Sequence, residues 1–260
     1  MSGRRSGPPN PAGAHFLADR GVITRLVRAA GIGPGSLVLD LGAGRGAITL
    51  ALAAAGARVV AIERDPRLAA SLRRRVSGSS GGAGRLPVTV VEADLRTVPL
   101  PRREFEVVAN VPFSLTTALL RRLLTGPAVR LAGAELIIAW GAARWLTAVP
   151  RDAETAWWAA RYQLRLASRV PAASFCPPPG TDAAQLSVRP RPLPRSGQGR
   201  LRSLIRAGYR EPGLPAHCLL PGRGGRRALA RSGIDPDGAA SSLTGQQWYQ
   251  LAALAASRPR

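Results

Sequence analysis

The sequence predicts an α/β fold: a doubly wound, mostly parallel sheet followed by a small helical region. Three observations carry that expectation. Short apolar runs of strand length alternate with helical patterns between residues 36 and 139. A glycine-rich turn joins the first of these strands to the helix after it. Past residue 195 the strand signal ends and only short helical patterns remain.

Residues 1–14 are rich in Gly, Pro and Arg and are expected to form a flexible basic segment. Val22, Ile23, Leu26 and Val27 recur at helical spacing over residues 19–30, and the Gly31-Ile-Gly-Pro-Gly35 run ends that helix. Residues 36–41 (SLVLDL) form a buried strand, and 47–55 a helix. Residues 58–62 (RVVAI) form a second strand, 66–76 a second helix, and SGSSGGAGR at 77–85 a flexible insert. Residues 88–91, 106–109 (EVVA) and 134–139 (AELIIA) supply strands three to five, with a helix over 116–124. Prolines 177–179, 190, 192 and 194 punctuate the chain beyond the fifth strand. Residues 201–209, 226–232 and 246–256 then form short helices. The expected organisation is a sheet domain over 15–190 and a small helical domain over 195–260.

The formal net charge is +22 and the pI about 11.9, with every positive side chain an arginine. Such a chain is drawn to polyanions. The two cysteines, Cys176 and Cys218, make neither a disulfide framework nor a metal cluster, which fits a reduced, cytoplasmic setting. The first residues include Arg but no apolar stretch of a secretory signal. No window reaches the roughly 18 uninterrupted apolar residues of a membrane span.

The segment Val38-Leu-Asp-Leu-Gly42-Ala-Gly44-Arg-Gly46 follows a strand and opens a helix. Its glycines let the chain turn sharply and let a ligand approach the backbone. Glu63 closes the second strand, 21 positions after Gly42, where a carboxylate can accept from a ribose diol. Asp94 follows the third strand, placed for another nucleoside contact. A dinucleotide is the rival ligand. Its loop prefers G-x-G-x-x-G and tolerates the Ala47 that holds the third place here, while Gly46 gives G-x-G-x-G, the form usual with adenosylmethionine. The loop leans towards a methyl donor without deciding between them.

After the fourth strand stands Asn110-Val-Pro-Phe113. An adenine amine is a poor nucleophile because its lone pair is delocalised into the ring. The Asn110 side-chain oxygen and a nearby main-chain carbonyl can hold both amine hydrogens and favour a pyramidal nitrogen. Pro112 stiffens the loop. Phe113 offers a face for an extruded base, a stack contributing about 1–3 kcal/mol. The sulfonium donor is already activated, so positioning and electrostatics do most of the work.

These segments occur in a fixed order with Gly13-Ala-His15-Phe-Leu17, Ala61-Ile-Glu63-Arg-Asp65 and Phe175-Cys-Pro-Pro-Pro-Gly-Thr-Asp182-Ala-Ala184. Together they resemble the rRNA adenine N6-methyltransferases, and within them the Erm type, which acts on 23S rRNA and confers macrolide–lincosamide–streptogramin B resistance. The resemblance implies a Rossmann-like methyltransferase domain using S-adenosylmethionine, a small all-helical C-terminal domain, and a monomer. It implies that His15 and Leu17 frame the methionine part of the donor and that Gly42 lies against it. Glu63 would hold the ribose, Asp94 the donor's adenine amine, and Asn110 would bridge donor and target amine. Phe113 would stack on the flipped-out target adenine. The sequence departs from the family at Ala14, where Gln is usual, at Ala139-Trp-Gly-Ala-Ala-Arg144-Trp145, and at Thr181-Asp-Ala-Ala184. A 16S rRNA dimethyltransferase of the KsgA type, a DNA adenine methylase, and a non-catalytic RNA-binding factor are the alternatives. The N-V-P-F tetrapeptide and the short C-terminal part favour the Erm type.

His217 has no constellation around it. Trp140, Trp145, Trp157 and Trp158 are expected in the core rather than stacked on RNA. Arg121-Arg122 and Arg73-Arg-Arg75 are candidates for phosphate contacts or solvated helix faces.

Overall fold

The computed structural model describes residues 15–78, 86–126, 129–193, 195–211, 213–222 and 224–256. The expected basic segment 1–14, with the Ala14 departure, and most of the 77–85 insert lie outside the described residues.

The chain enters through the short strand β1 (Phe16–Leu17) and helix α1 (Arg20–Ala30). Asp19 caps α1 by accepting the Val22 N–H at 3.1 Å. Gly31, at φ 66°, ends it. Strand β2 (Leu37–Leu41) is buried at every position, Asp40 included, as befits a central parallel strand. Helix α2 (Ala47–Ala54), β3 (Arg58–Glu63), α3 (Pro66–Gly78), β4 (Val88–Glu92), β5 (Phe105–Asn110), α4 (Thr116–Thr125) and β6 (Leu131–Ala139) complete the alternation. β2 pairs in parallel with β3 and β5, β3 with β4, and β5 with β6. β6 starts earlier than its sequence pattern suggests, because Ala132 and Gly133 have little strand propensity of their own; Leu131 and Gly133 pair with Phe105 and Glu106 of β5, and Ala132 is bulged between them.

Helices α5 (Trp140–Thr147) and α6 (Ala153–Arg161) come next, then strands β7 (Tyr162–Val170), β8 (Phe175–Cys176) and β9 (Ala183–Pro190). The strand pattern of the sequence stops at five, yet the main sheet has seven strands in the order β4-β3-β2-β5-β6-β9-β7. β9 is hidden in the sequence because Gln185 and Ser187 interrupt its apolar run. Both are buried, donating to the buried Glu135 carboxylate of β6 at 2.6 and 2.8 Å. The last elements are α7 (Arg195–Arg210), α8 (Gly225–Arg231) and α9 (Gly245–Ala256).

The chain divides into two compact units. Of the described residues, one comprises those within 15–122, 129–143 and 166–187; the other comprises those within 123–126, 144–165 and 188–256. In the first, α1 and α2 pack Val22, Leu26, Ile48 and Leu52 onto Val38, Val59 and Val108 of the sheet. In the second, α9 packs against α6 and α7 around the fully buried Trp248. Gly208 of α7 lies under that ring, where a Cβ would come within 2.8 Å of Trp248 Cη2. Trp157 and Trp158 are buried as expected, but Trp145 is 38% exposed. It shares α5 with the buried Leu146, whose side of the helix faces inward. Among the described residues, no helix is long and apolar enough to cross a membrane.

Candidate active site

From the adjacent strands β2 and β5, the sheet continues through β3 and β4 on one side and β6 on the other. Such a reversal opens a crevice at the carboxyl ends of the strands. A cavity of about 700 Å³ lies there, and six of the seven residues singled out by sequence line it: His15, Gly42, Glu63, Asp94, Asn110 and Phe113. Leu17 is the exception. Its side chain is 5% exposed in the core cluster, and its neighbour Phe16 faces the cavity instead.

The glycine loop turns immediately after β2. Gly42, at φ 85°, and Ala43 both donate their N–H to the Ile62 carbonyl at 2.9 Å. This ties the loop to the end of β3. Gly44 N–H then donates to Glu63 Oε2, and Asp65 N–H to Glu63 Oε1, each at 2.8 Å. Two main-chain donors therefore fix the Glu63 carboxylate, one on each oxygen, and each oxygen keeps acceptor capacity towards the cavity. At Gly44, φ 54°, a Cβ would come within 3.0 Å of the Phe16 ring, so a larger residue there requires that ring to shift.

Asp94 begins the loop after β4. Its Oδ1 accepts the Arg96 N–H at 2.8 Å, and the Arg96 guanidinium grips both oxygens at 2.6–3.0 Å. Arg64 stands 3.8 Å away. Arg96 above all holds the Asp94 carboxyl down at about 2, so it is ionised throughout the physiological range. Nothing in the sequence pattern marks Arg96 as its partner.

The third wall is a strap. β1 pairs antiparallel with β8, aligning Phe16 with Cys176 and Leu17 with Phe175. Ala18 N–H donates to the Ser174 carbonyl at 2.9 Å, and Ser174 Oγ donates to Asp19 at 3.1 Å. His15 Nδ1 donates to the Pro177 carbonyl at 3.0 Å. The F-C-P-P-P segment thus holds His15–Leu17 in place. The His15 carbonyl in turn accepts from Asn110 Nδ2 at 2.7 Å. With its nitrogen committed, Oδ1 is the acceptor the Asn110 side chain has left. Phe113 lies with its ring centroid 6.3 Å from that of His15.

Two of the departures noted in the sequence fall in one well-tied cluster. Asp182 accepts the Ala172 N–H at 2.8 Å and Arg169 Nε at 2.6 Å, and its carbonyl accepts the Trp140 N–H at 3.0 Å. Arg169 also lies over the Trp140 ring, 5.5 Å from its centroid. His217 bonds the Pro236 carbonyl at 2.9 Å, a structural role.

A sheet wound both ways from β2, with a glycine turn leading into α2, is the Rossmann-like arrangement of S-adenosylmethionine-dependent methyltransferases. The chain belongs to the ribosomal RNA adenine dimethylase family, whose model matches residues 10–207. It is 35% identical over 251 residues to the mycinamicin-resistance protein MyrB of Micromonospora griseorubida, covering 92% of this chain and 76% of that one. It is 31% identical to the ribosomal RNA small subunit methyltransferase A of Kineococcus radiotolerans, covering 97% and 86%. The crystal structure of the 23S rRNA methyltransferase ErmE superposes with a TM-score of 0.76 at 28% identity, covering 92% of this chain and 98% of that one.

Proposed function

We propose that this chain methylates N6 of an adenine in 23S rRNA and thereby confers macrolide–lincosamide–streptogramin B resistance. The observation that carries the reading is the Asn110 amide, turned by the His15 carbonyl so that its oxygen is the free acceptor, three residues before an aromatic ring in the same cavity.

The cavity suits adenosylmethionine. Its carboxylates Glu63 and Asp94 can accept from the hydroxyls and amine of a nucleoside, and Gly42 and Gly44 bring main chain to the same cavity. When bound, the donor supplies a methyl group activated on a sulfonium. Glu63, fixed by two main-chain N–H groups, accepts the ribose hydroxyls. Asp94 accepts the donor's adenine amine. Gly42 and His15 border the methionine part, and Leu17 supports that end from the core. Asn110 Oδ1 would accept one hydrogen of the target amine and so hold its nitrogen oriented in the site. Phe113 stacks on the adenine, which must leave its helix to enter. The strap places His15 and Phe16 along one wall of the site. The enzyme acts as a monomer in the cytoplasm.

The decisive experiment gives purified protein labelled adenosylmethionine with protein-free 23S or 16S rRNA and identifies the modified nucleoside by mass spectrometry. N6-methylated adenosine in 23S rRNA is expected, with transfer lost in Asn110→Ala while RNA binding persists. Equal or greater transfer to 16S rRNA would move the chain to the small-subunit reading that the Kineococcus relative favours. Unchanged erythromycin sensitivity in a host expressing an active enzyme would remove the resistance role.

A further inference from the structure

Arg121 and Arg122 are neighbours on α4, and the sequence offers both for phosphate contacts. The structure separates them. Arg121 is exposed, whereas Arg122 is half-buried and donates through Nη1 to the Leu95 carbonyl and through Nη2 to the Val98 carbonyl. Burial works against its charge, yet the guanidinium is turned inward onto main chain.

Those two carbonyls belong to the loop that carries Asp94. The loop folds on itself, with Thr97 and Val98 N–H both donating to the Asp94 carbonyl at 3.0 and 2.9 Å. Its next residue, Leu95, is 6% exposed, lines the cavity and shares the space over Gly42 with Pro112. A Cβ on Gly42 would lie 3.8 Å from Leu95 and 3.7 Å from Pro112. α4 continues directly from the Phe113–Leu115 turn, so Arg122 sits on the same stretch of chain as the Asn110–Phe113 tetrapeptide. The donor-side loop and the base-side loop therefore both border Gly42, through Leu95 and Pro112, and are joined by the Arg122 guanidinium.

We propose that Arg122 is a positioning residue that staples the Asp94–Val98 loop to the helix following the tetrapeptide, so that donor affinity depends on a side chain outside the cavity. The planar fork spans both carbonyls at once, which a lysine ammonium does not. This rests on the reading that the donor's adenine meets Asp94.

The test measures S-adenosylhomocysteine binding by calorimetry for the full chain and for Arg122→Met, Arg122→Lys and Asp94→Ala. It adds steady-state kinetics and amide hydrogen exchange. Arg122→Met is expected to weaken binding about tenfold, the scale of a lost hydrogen bond to a charged group. KM for the donor should rise more than kcat falls. Arg122→Lys should recover part of the loss. Thr97 and Val98 amides should exchange faster in Arg122→Met while those of β5 and β6 stay protected. If Arg122→Met does not fold, Arg122→Lys carries the test with the same readouts. Wild-type affinity in a folded Arg122 variant, with Asp94→Ala weakened, overturns the staple alone. Wild-type affinity in Asp94→Ala overturns the donor reading and the staple with it.

Discussion

Asp40 lies within β2, 1% exposed, and only one of its carboxylate oxygens has a partner. Thr49 donates to Oδ2 at 2.6 Å, while Oδ1 has no hydrogen bond. Burial raises its carboxyl to about 7, aided by the nearby Glu63 charge and opposed by the Thr49 hydrogen bonds. The sign follows from proton binding. Between the unfolded value of 3.8 and about 7, the folded chain keeps a proton that the unfolded chain has released. Stability from this group is therefore complete below the unfolded value and is lost as pH rises through 7. In Asp40→Asn that loss should vanish. Denaturant unfolding at about pH 5.5 and pH 8.5 should show wild type falling relative to the variant by up to a few kcal/mol. Parallel pH profiles for the two proteins would show that Asp40 ionises as freely folded as unfolded.

At the scale of elements, the glycine turn is fixed by what packs against it. Gly46 opens α2 at φ 79°, and a Cβ there would lie 2.3 Å from Leu72 Cδ1 on α3. Gly31 closes α1 at φ 66° with nothing within 4 Å of an added Cβ. Gly31→Ala should therefore cost only the left-handed backbone, about 1–2 kcal/mol. Gly46→Ala adds overlap with a buried leucine and should cost about 2–4 kcal/mol by denaturant unfolding. Equal losses at the two positions would mean that Leu72 gives way freely. The same distinction separates what the sequence discloses from what it hides. Gly42, Glu63 and Asn110 were legible because each closes or follows a buried apolar run, so spacing along the chain reports position at the sheet edge. β9 was not legible, since burial of Gln185 and Ser187 depends on Glu135, 50 and 52 residues away. Nor was the inward turn of Arg122. Two adjacent arginines have identical local chemistry, and only contact with the distant Leu95 and Val98 carbonyls tells them apart.

Over the whole molecule, a net charge of +22 acts on the two substrates unequally. An RNA is a dense line of phosphates whose condensed counterions are released on binding. Its affinity should fall with a steep, nearly linear slope of log K against log salt. With roughly 6–10 phosphate contacts, the loss between about 50 and 200 mM salt is about 10³–10⁵-fold. The donor instead meets a site whose charges are already paired or bound locally: Asp94 by Arg96, and Glu63 by two main-chain N–H groups. S-adenosylhomocysteine affinity should then change by no more than about twofold over the same range, because close pairs are screened little. Titrating both ligands across that salt series separates the two parts of the enzyme in one preparation. A flat RNA profile would mean that the arginines are a solvated surface and that base contacts alone hold the substrate. A donor profile as steep as that of RNA would mean instead that salt disrupts the donor pocket itself, with the exposed Arg64 and Arg96 partners of Asp94 the first contacts to test.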